Sequence, residues 1–141
     1  MKVPEKHQSV IGMSASELSI QNSTIFSKID LSEGSKLTLE NVHIEIFGNN
    51  TIHAKDSEVI AKNSTITGGD LEKDFPPVWL RNVIWESENC KIELPTGTGV
   101  CLDNNVQFNS DSDRITSINS FNSMIRAHQA TFSEFLCVYE E

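Results

Sequence analysis

The sequence repeats a short template that ends in asparagine, and this repeat constrains the fold more than any other feature. In each copy an apolar residue, any residue, a second apolar residue, any residue and an asparagine follow one another. The closing asparagines are Asn22, Asn41, Asn63, Asn82 and Asn104, and they recur every 19 to 22 residues. Repetition at such a period indicates a solenoid, in which similar coils stack on one another.

The alternation within each copy predicts a β-strand with one buried face. Leu18 and Ile20 precede Asn22, so the asparagine falls on the buried side as well. A buried amide without a partner costs several kcal/mol. Identical asparagines stacked about 4.8 Å apart can satisfy one another, because each amide donates to the next carbonyl. We therefore predict an internal Asn ladder that runs through the five closing asparagines.

Over residues 16–132 these repeats resemble the right-handed parallel β-helix family, the pectin-lyase-like fold. The resemblance implies an all-β chain that forms a short right-handed parallel β-helix of about six coils. The expected organisation is a single domain over residues 1–141, with an N-terminal cap at 1–15 and a C-terminal cap at 133–141. The family includes enzymes, adhesins, tailspikes and inert scaffolds, so the resemblance implies an architecture and no particular activity.

The last coil has two possible registers. Ile125, Ala127 and Gln129 fit the template with glutamine in place of asparagine, whereas Asn122 followed by Ile125 fits its second half. We favour the Gln129 register.

Net charge, hydropathy and the number of cysteines restrict the classes of partner and ligand that the chain can bind. The net charge is −9, which disfavours nucleic acid and anionic membranes, because both are bound mainly through lysine and arginine. The first residues contain no apolar signal region and no run is long enough to span a membrane, so the chain is expected to be cytoplasmic. Three cysteines, expected to be reduced, are too few for a disulfide scaffold or a zinc site. We predict no metal and no cofactor.

Two groups of residues are candidate sites. By the alternation, Ile60, Trp79 and Ile84 point outward and would form an apolar interface, unless the loop at 68–77 covers Trp79. The outward position before each asparagine, occupied by Gln21, Glu40, Lys62, Arg81 and Asp103, would form a solvated charge ladder.

The second group lies in the acidic insertion between the third and fourth copies. Asp70, Glu72 and Asp74, together with Arg81, could line a groove that binds or cleaves polysaccharide, since clustered carboxylates suit that chemistry. The alternative is an ordinary solvated loop.

The sequence therefore favours a non-catalytic interaction or scaffold module that binds a protein partner or self-associates into a homo-oligomer. No catalytic residue is identified, because the sequence shows no nucleophile–base pair, metal-ligand set or phosphate-binding loop. A carbohydrate-active protein is the alternative. A weaker alternative, an acidic inhibitor that mimics nucleic acid, rests on the charge alone.

Overall fold

The computed structural model of the chain describes residues 10–48, 51–71, 76–94 and 99–134. Its regular structure there is entirely β-strand, and all strands join one sheet. In chain order the strands are β1 (Val10–Ser14), β2 (Glu17–Gln21), β3 (Thr24–Ile25), β4 (Lys28–Ser32), β5 (Lys36–Glu40), β6 (His43–Gly48), β7 (Ile52–Lys62), β8 (Thr65–Leu71), β9 (Val78–Glu88), β10 (Lys91–Glu93), β11 (Val100–Asp103), β12 (Gln107–Asp111), β13 (Arg114–Phe121), β14 (Met124–His128) and β15 (Thr131–Glu134).

The strands coil into a parallel solenoid with three faces. Face 1 stacks β1, β4, the first half of β7, the first half of β9, β11 and the second half of β13. Face 2 stacks β2, β5, the second half of β7, the second half of β9, β12 and β14. Face 3 stacks β3, β6, β8, β10, the first half of β13 and β15. Every pairing is parallel, as expected when each face receives one strand per coil.

The core is a continuous apolar column inside the three faces. Every second residue of a strand points inward, so Leu37 and Leu39 are buried while Thr38 between them is half-buried. Trp85 and Phe108 are the bulkiest fully buried side chains, and their rings stack at 5.4 Å with planes 12° apart. This packing confirms the predicted all-β parallel solenoid.

The solenoid has about 4 turns, somewhat fewer than the six predicted. The strands at its two ends are only partly covered. The side chains of β2 and β14 are largely exposed, and Leu18 is 38% accessible although it points inward. Inward residues of a terminal coil are covered on one side only, because the described residues place no further coil beyond them. Strand β1, which falls within the N-terminal cap predicted at 1–15, pairs with β4 as a regular strand.

Two of the three connections between faces in each coil are tight corners. At each corner one or two residues adopt the left-handed conformation, with φ between 49° and 81°. Corner A, between faces 2 and 3, contains Asn22, Asn41, Asn63, Asn89, Ser112 and Gln129. Corner B, between faces 1 and 2, contains Ala15, Glu33 with Gly34, Asp56, Asn82, Asn104 with Asn105, and Asn122. Asparagine is frequent there because its short amide tolerates this conformation better than most side chains.

The predicted internal Asn ladder is therefore not confirmed. Asn22, Asn41 and Asn63 occupy corner A, whereas Asn82 and Asn104 occupy corner B. All five are exposed rather than buried. The closing asparagines change from corner A to corner B because the third coil is long. On face 3, the residue that stacks on Thr65 one coil later is Lys91. Val78 consequently stacks on Ile52 and not on Val59, which pairs with Trp85.

The corner amides do bond one another, but at the surface. The Asn41 Nδ2 donates to the Asn22 Oδ1 at 2.7 Å on corner A. On corner B, the Asn82 Nδ2 donates to the Asp56 Oδ1 at 2.6 Å and the Asn105 Nδ2 to the Asn82 Oδ1 at 2.6 Å. Exposed amide pairs of this kind contribute modestly to stability, because water competes for the same groups.

The residue after a corner resumes the inward alternation, and it is small or branched everywhere except after Ser112, where it is Asp113. Ser57, Ser64 and Ser123 each donate their hydroxyl to the carbonyl two residues earlier. Ser64 and Ser123 also accept the backbone N–H of the matching residue in the preceding coil, Val42 and Val106. A corner interrupts the strand ladder, so these hydroxyls satisfy N–H groups that would otherwise be buried without an acceptor.

In the last coil both candidate residues prove to be corners. Gln129 lies at corner A and Asn122 at corner B, with φ of 54° and 49°. Ile125 stacks on Phe108 and Ala127 on Ser110, which places this strand on face 2 together with the first three copies.

Candidate functional site

The outer surface of face 2 presents three columns of side chains that are exposed or half-buried. The leading column, at the start of the strands, contains Glu17, Lys36, Glu58, Ile84, Gln107 and Met124. The middle column contains Ser19, Thr38, Ile60, Glu86, Asn109 and Arg126. The trailing column contains Gln21, Glu40, Lys62, Glu88, Asp111 and His128.

Two recesses border this surface. The leading recess, of about 560 Å³, runs along corner B and is lined by carboxylates from Glu17, Asp56 and Glu58 together with Lys36 and Ile84. The trailing recess, of about 480 Å³, lies over the middle and trailing columns of the third to sixth coils and is lined by Ile60, Lys62, Glu88, Asp111 and His128. Both are open grooves rather than enclosed cavities, so they suit the side chains of a partner or an extended ligand.

Ile60 and Ile84 form the apolar centre of face 2. They lie in adjacent coils and in neighbouring columns, because Ile60 pairs with Glu86 and Ile84 pairs with Glu58. Ile84 is 43% accessible, and Ile60 is half-buried. Apolar residues rimmed by charged ones are typical of protein interfaces. The sequence predicted that both point outward, and the structure places them so.

Trp79, the third member of the predicted apolar group, lies elsewhere. It is on face 1, where it pairs with His53 and Cys101, so the three residues do not form one patch. Trp79 is half-buried. Its indole Nε1 donates to the Asp103 Oδ2 at 3.2 Å, and its ring meets the His53 ring edge-on at 5.9 Å. Trp79 therefore takes part in a local contact on face 1.

His53 is the titratable group whose environment on face 1 is most altered among those that the structure describes there. Burial lowers the pKa of His53 below its usual value of 6.5, and the positive charge of Lys28 lowers it further. A backbone hydrogen bond at Pro76 and the charge of Asp30 act in the opposite direction. His53 is thus held neutral by its surroundings rather than prepared as a charged group.

The predicted acidic site is largely beyond what the structure describes. Glu72 and Asp74 lie outside the described residues, and of Asp70 only the backbone, in β8, is described. Arg81 lies at the end of the face 1 half of β9, next to Lys55 of the preceding coil. Whether these four residues form a groove stays a prediction.

The predicted solvated charge ladder is wrong beyond Lys62. As with the Asn ladder, the copies that follow the long third coil lie on face 1 instead of face 2. Gln21, Glu40 and Lys62 follow one another on face 2, but the next members are Glu88 and Asp111. Arg81 and Asp103 belong to face 1. Lys62 thus lies between two acidic neighbours. On face 2, Lys36 Nζ lies 4.0 Å from Glu58 Oε1, and His128 Nδ1 lies within hydrogen-bond distance, 3.2 Å, of Asp111 Oδ1.

The sequence did not predict the buried polar cluster that lies beneath corner A. Asp113 is 4% accessible, and its carboxylate accepts hydrogen bonds from the hydroxyls of Ser87 and Ser110. It also accepts the backbone N–H of Cys90 at 2.7 Å. All its donors are internal, so the cluster closes the corner and offers no open ligand position. The available signal was Asn89-Cys90, an asparagine before a small residue, which recurs at both corners.

The cysteines differ from one another. Cys90 is a free, buried thiol, and burial raises its pKa to about 11. Cys101 is disulfide-bonded, so the prediction that the cysteines are reduced is wrong for this residue. Within the described part of the chain no group of three or more histidine, cysteine, aspartate or glutamate side chains is arranged to hold a metal ion.

Comparisons with protein-family models, with curated proteins and with solved structures find no match to this chain. Among the described residues there is no helix long and apolar enough to cross a membrane.

Proposed function

We propose that the chain is a non-catalytic interaction module that binds a protein partner through the outer surface of face 2. One observation carries this proposal: face 2 exposes an apolar centre, Ile60 and Ile84, between two recesses and within a rim of charges. Faces built on a continuous parallel sheet are rigid, so a partner binds a preformed surface. The solenoid therefore loses little conformational entropy on binding.

The experiment compares capture of partners by three forms of the chain in an extract of the source cells. The wild type is cross-linked to its neighbours, which are identified by mass spectrometry. Ile84→Glu places a charge in the apolar centre and should abolish the specific cross-links. Lys91→Glu changes an exposed residue on face 3 and is the matched control. Equal capture by all three forms would contradict a role for face 2.

A carbohydrate-active protein is the second candidate, and the trailing recess favours it. Glu88 and Asp111 are opposite each other in adjacent strands, and Glu86 lies two residues before Glu88 on the same side. Paired carboxylates can bind sugar hydroxyls or act as acid and base. The test is binding and turnover of neutral and acidic polysaccharides by the wild type and by Glu88→Gln. Turnover that Glu88→Gln abolishes would replace the interaction module as the proposed function.

Three further expectations from the sequence stay predictions. Kinship with the pectin-lyase-like family is supported by the parallel three-faced coil, but a parallel solenoid is common to other families. The inhibitor that mimics nucleic acid still rests on the net charge of −9 alone. The cytoplasmic location is weakened by the disulfide at Cys101, because disulfides persist mainly in oxidising compartments.

A further inference from the structure

We infer that the partner bound by face 2 is a second copy of the same chain, related by a two-fold axis parallel to the solenoid axis and centred over the middle column. The inference rests on the proposed function and names the partner for the same surface. It depends on the order of charges in the second and third coils of face 2, which is self-complementary.

The strands of the second and third coils of face 2 have opposite signs at their two ends. The strand of the second coil begins with Lys36 and ends with Glu40, and that of the third coil begins with Glu58 and ends with Lys62. All four side chains point outward, because they alternate with buried residues. The order of signs is thus reversed from one coil to the next.

A two-fold axis along the solenoid places the leading column of one copy over the trailing column of the other at the same coil. Lys36 then faces the Glu40 of the second copy, and Glu58 faces its Lys62. Each pair occurs twice, since a two-fold interface repeats every contact. Opposite charges at matched positions fix the register of an association and suppress alternatives.

The same operation brings Ile60 onto Ile60, because the middle column faces itself. The Lys62 side chain of the second copy points toward the leading recess, where Glu17, Asp56 and Glu58 supply carboxylates. The recess therefore has room and charge for this long side chain. Glu86 and Arg126 would face their own counterparts, and Ile84 would face Glu88, so the complementary charge pairs lie in the second and third coils alone.

Size predicts a weak dimer. Face 2 measures about 16 Å along its strands and about 24 Å along the solenoid axis, from rises of about 3.3 Å per residue and about 4.8 Å per strand. Interfaces that bury less than about 1,200 Å² in total belong to transient complexes. Association is therefore expected to be weak, and it should be measured by sedimentation up to about 1 mM of chain.

A charge-swap mixture provides the test. Lys62→Glu gives a chain whose third coil carries two acids, and Glu58→Lys gives one that carries two bases. Each variant alone places like charges opposite each other twice, so its dimerisation should weaken by about tenfold or more. In an equimolar mixture both pairs are restored, and a heterodimer should form with roughly wild-type affinity. The control variant Lys91→Glu, on face 3, should dimerise with the same affinity as the wild type.

Covalent trapping gives a second measurement that does not depend on these charges. Ile60→Cys should form a disulfide with its counterpart under mild oxidation, whereas Thr67→Cys, an outward residue of face 3, should not. Thermal melting of each variant checks that the solenoid is intact.

The outcomes separate the two proposals. A wild-type chain that is monomeric at the highest concentration overturns the second copy as partner. A mixture that stays monomeric where the wild type dimerises overturns the two-fold arrangement through face 2. If Ile84→Glu still abolishes capture of another protein in that case, the interaction module stands with a different partner. If neither self-association nor capture depends on face 2, both proposals are overturned.

Discussion

At the scale of single residues, the recurring asparagines mark backbone conformation rather than buried chemistry. Asn22, Asn63 and Asn82 all have φ near 50° and exposed side chains. A non-glycine residue pays about 1–2 kcal/mol in the left-handed region, and asparagine offsets part of this by local hydrogen bonding. The corner positions therefore select asparagine in each coil, which gives the sequence its period.

Asn82 allows this explanation to be tested, since its amide both donates to Asp56 and accepts from Asn105. Asn82→Ala should reduce the free energy of unfolding by about 1 kcal/mol, because alanine is strained at φ of 52°. Asn82→Gly removes the same hydrogen bonds without the strain and should be closer to the wild type. Urea denaturation measures both. Equal losses for the two variants would show that the amide bonds, and not the conformation, decide.

His53 predicts a pH dependence of stability. Its pKa is lowered in the folded chain, first by burial and then by Lys28, while the unfolded chain keeps a value near 6.5. Above pH 6.5 the residue is neutral in both states, so its full contribution is present. As the pH falls through 6.5 toward the folded pKa, the unfolded state binds more protons and stability is lost.

The measurement is the free energy of unfolding at several pH values between 8 and 5, chosen to bracket the usual histidine pKa of about 6.5. His53→Gln should flatten this decline relative to the wild type. His128→Gln, at an exposed position on face 2, is the control that keeps the His53 contribution. Superimposable pH profiles of the wild type and His53→Gln would rule out the effect.

At the scale of elements, coil length and inward volume decide the register. The third coil is long, and its insertion moves the next strand so that β9 covers both halves of β7. Trp85 then lies opposite the smaller Val59 of the preceding coil. On its other side, the indole stacks on the ring of Phe108 in the next coil. In the same two strands the next inward residues are the small Ser87 and Ser110, so bulky and small side chains lie side by side and keep the core filled.

The Trp85–Phe108 stack predicts a measurable coupling. In a double-mutant cycle with Trp85→Leu and Phe108→Leu, the interaction energy should be about 0.5–1.5 kcal/mol beyond the loss of buried area. A cycle that combines Trp85→Leu with Ile29→Val, a buried residue on face 1, should be nearly additive. Additivity of both cycles would argue against the register described for β9 and β12.

At the scale of the whole molecule, each coil depends on its neighbours. A single coil cannot bury its inward residues, so stability comes from stacking and is lowest at the ends. The exposure of Leu18 in the first strand of face 2, compared with the burial of Leu37 in the next, shows this gradient. Interior groups should therefore become accessible only when the stack opens.

Cys90 reports such opening, because it is buried and its pKa is raised to about 11. A buried thiol with little thiolate reacts slowly, so maleimide labelling of Cys90 at neutral pH should proceed at the rate of unfolding. Mass spectrometry of the peptide that contains Cys90 follows the reaction. Ser19→Cys, exposed on face 2, should be labelled at once. Rapid labelling of Cys90 in the folded chain would show that the corner opens locally.

The sequence by itself determined the architecture. Alternating apolar residues and a period of about 20 residues require stacked parallel coils, because only that arrangement buries the same face of every repeat. It also identified Ile60 and Ile84 as outward apolar residues, since alternation within a strand does not depend on the register of the coils.

Only the tertiary structure decided what each residue meets across the coils. The template fits both corners equally well, so the spacing could not show that Asn82 and Asn104 had moved from corner A to corner B. That shift separates Trp79 from Ile60 and replaces Arg81 by Glu88 beside Lys62. Neighbours in adjacent coils are set by where the insertion ends and by which inward side chains fit together, and neither is encoded within a single repeat.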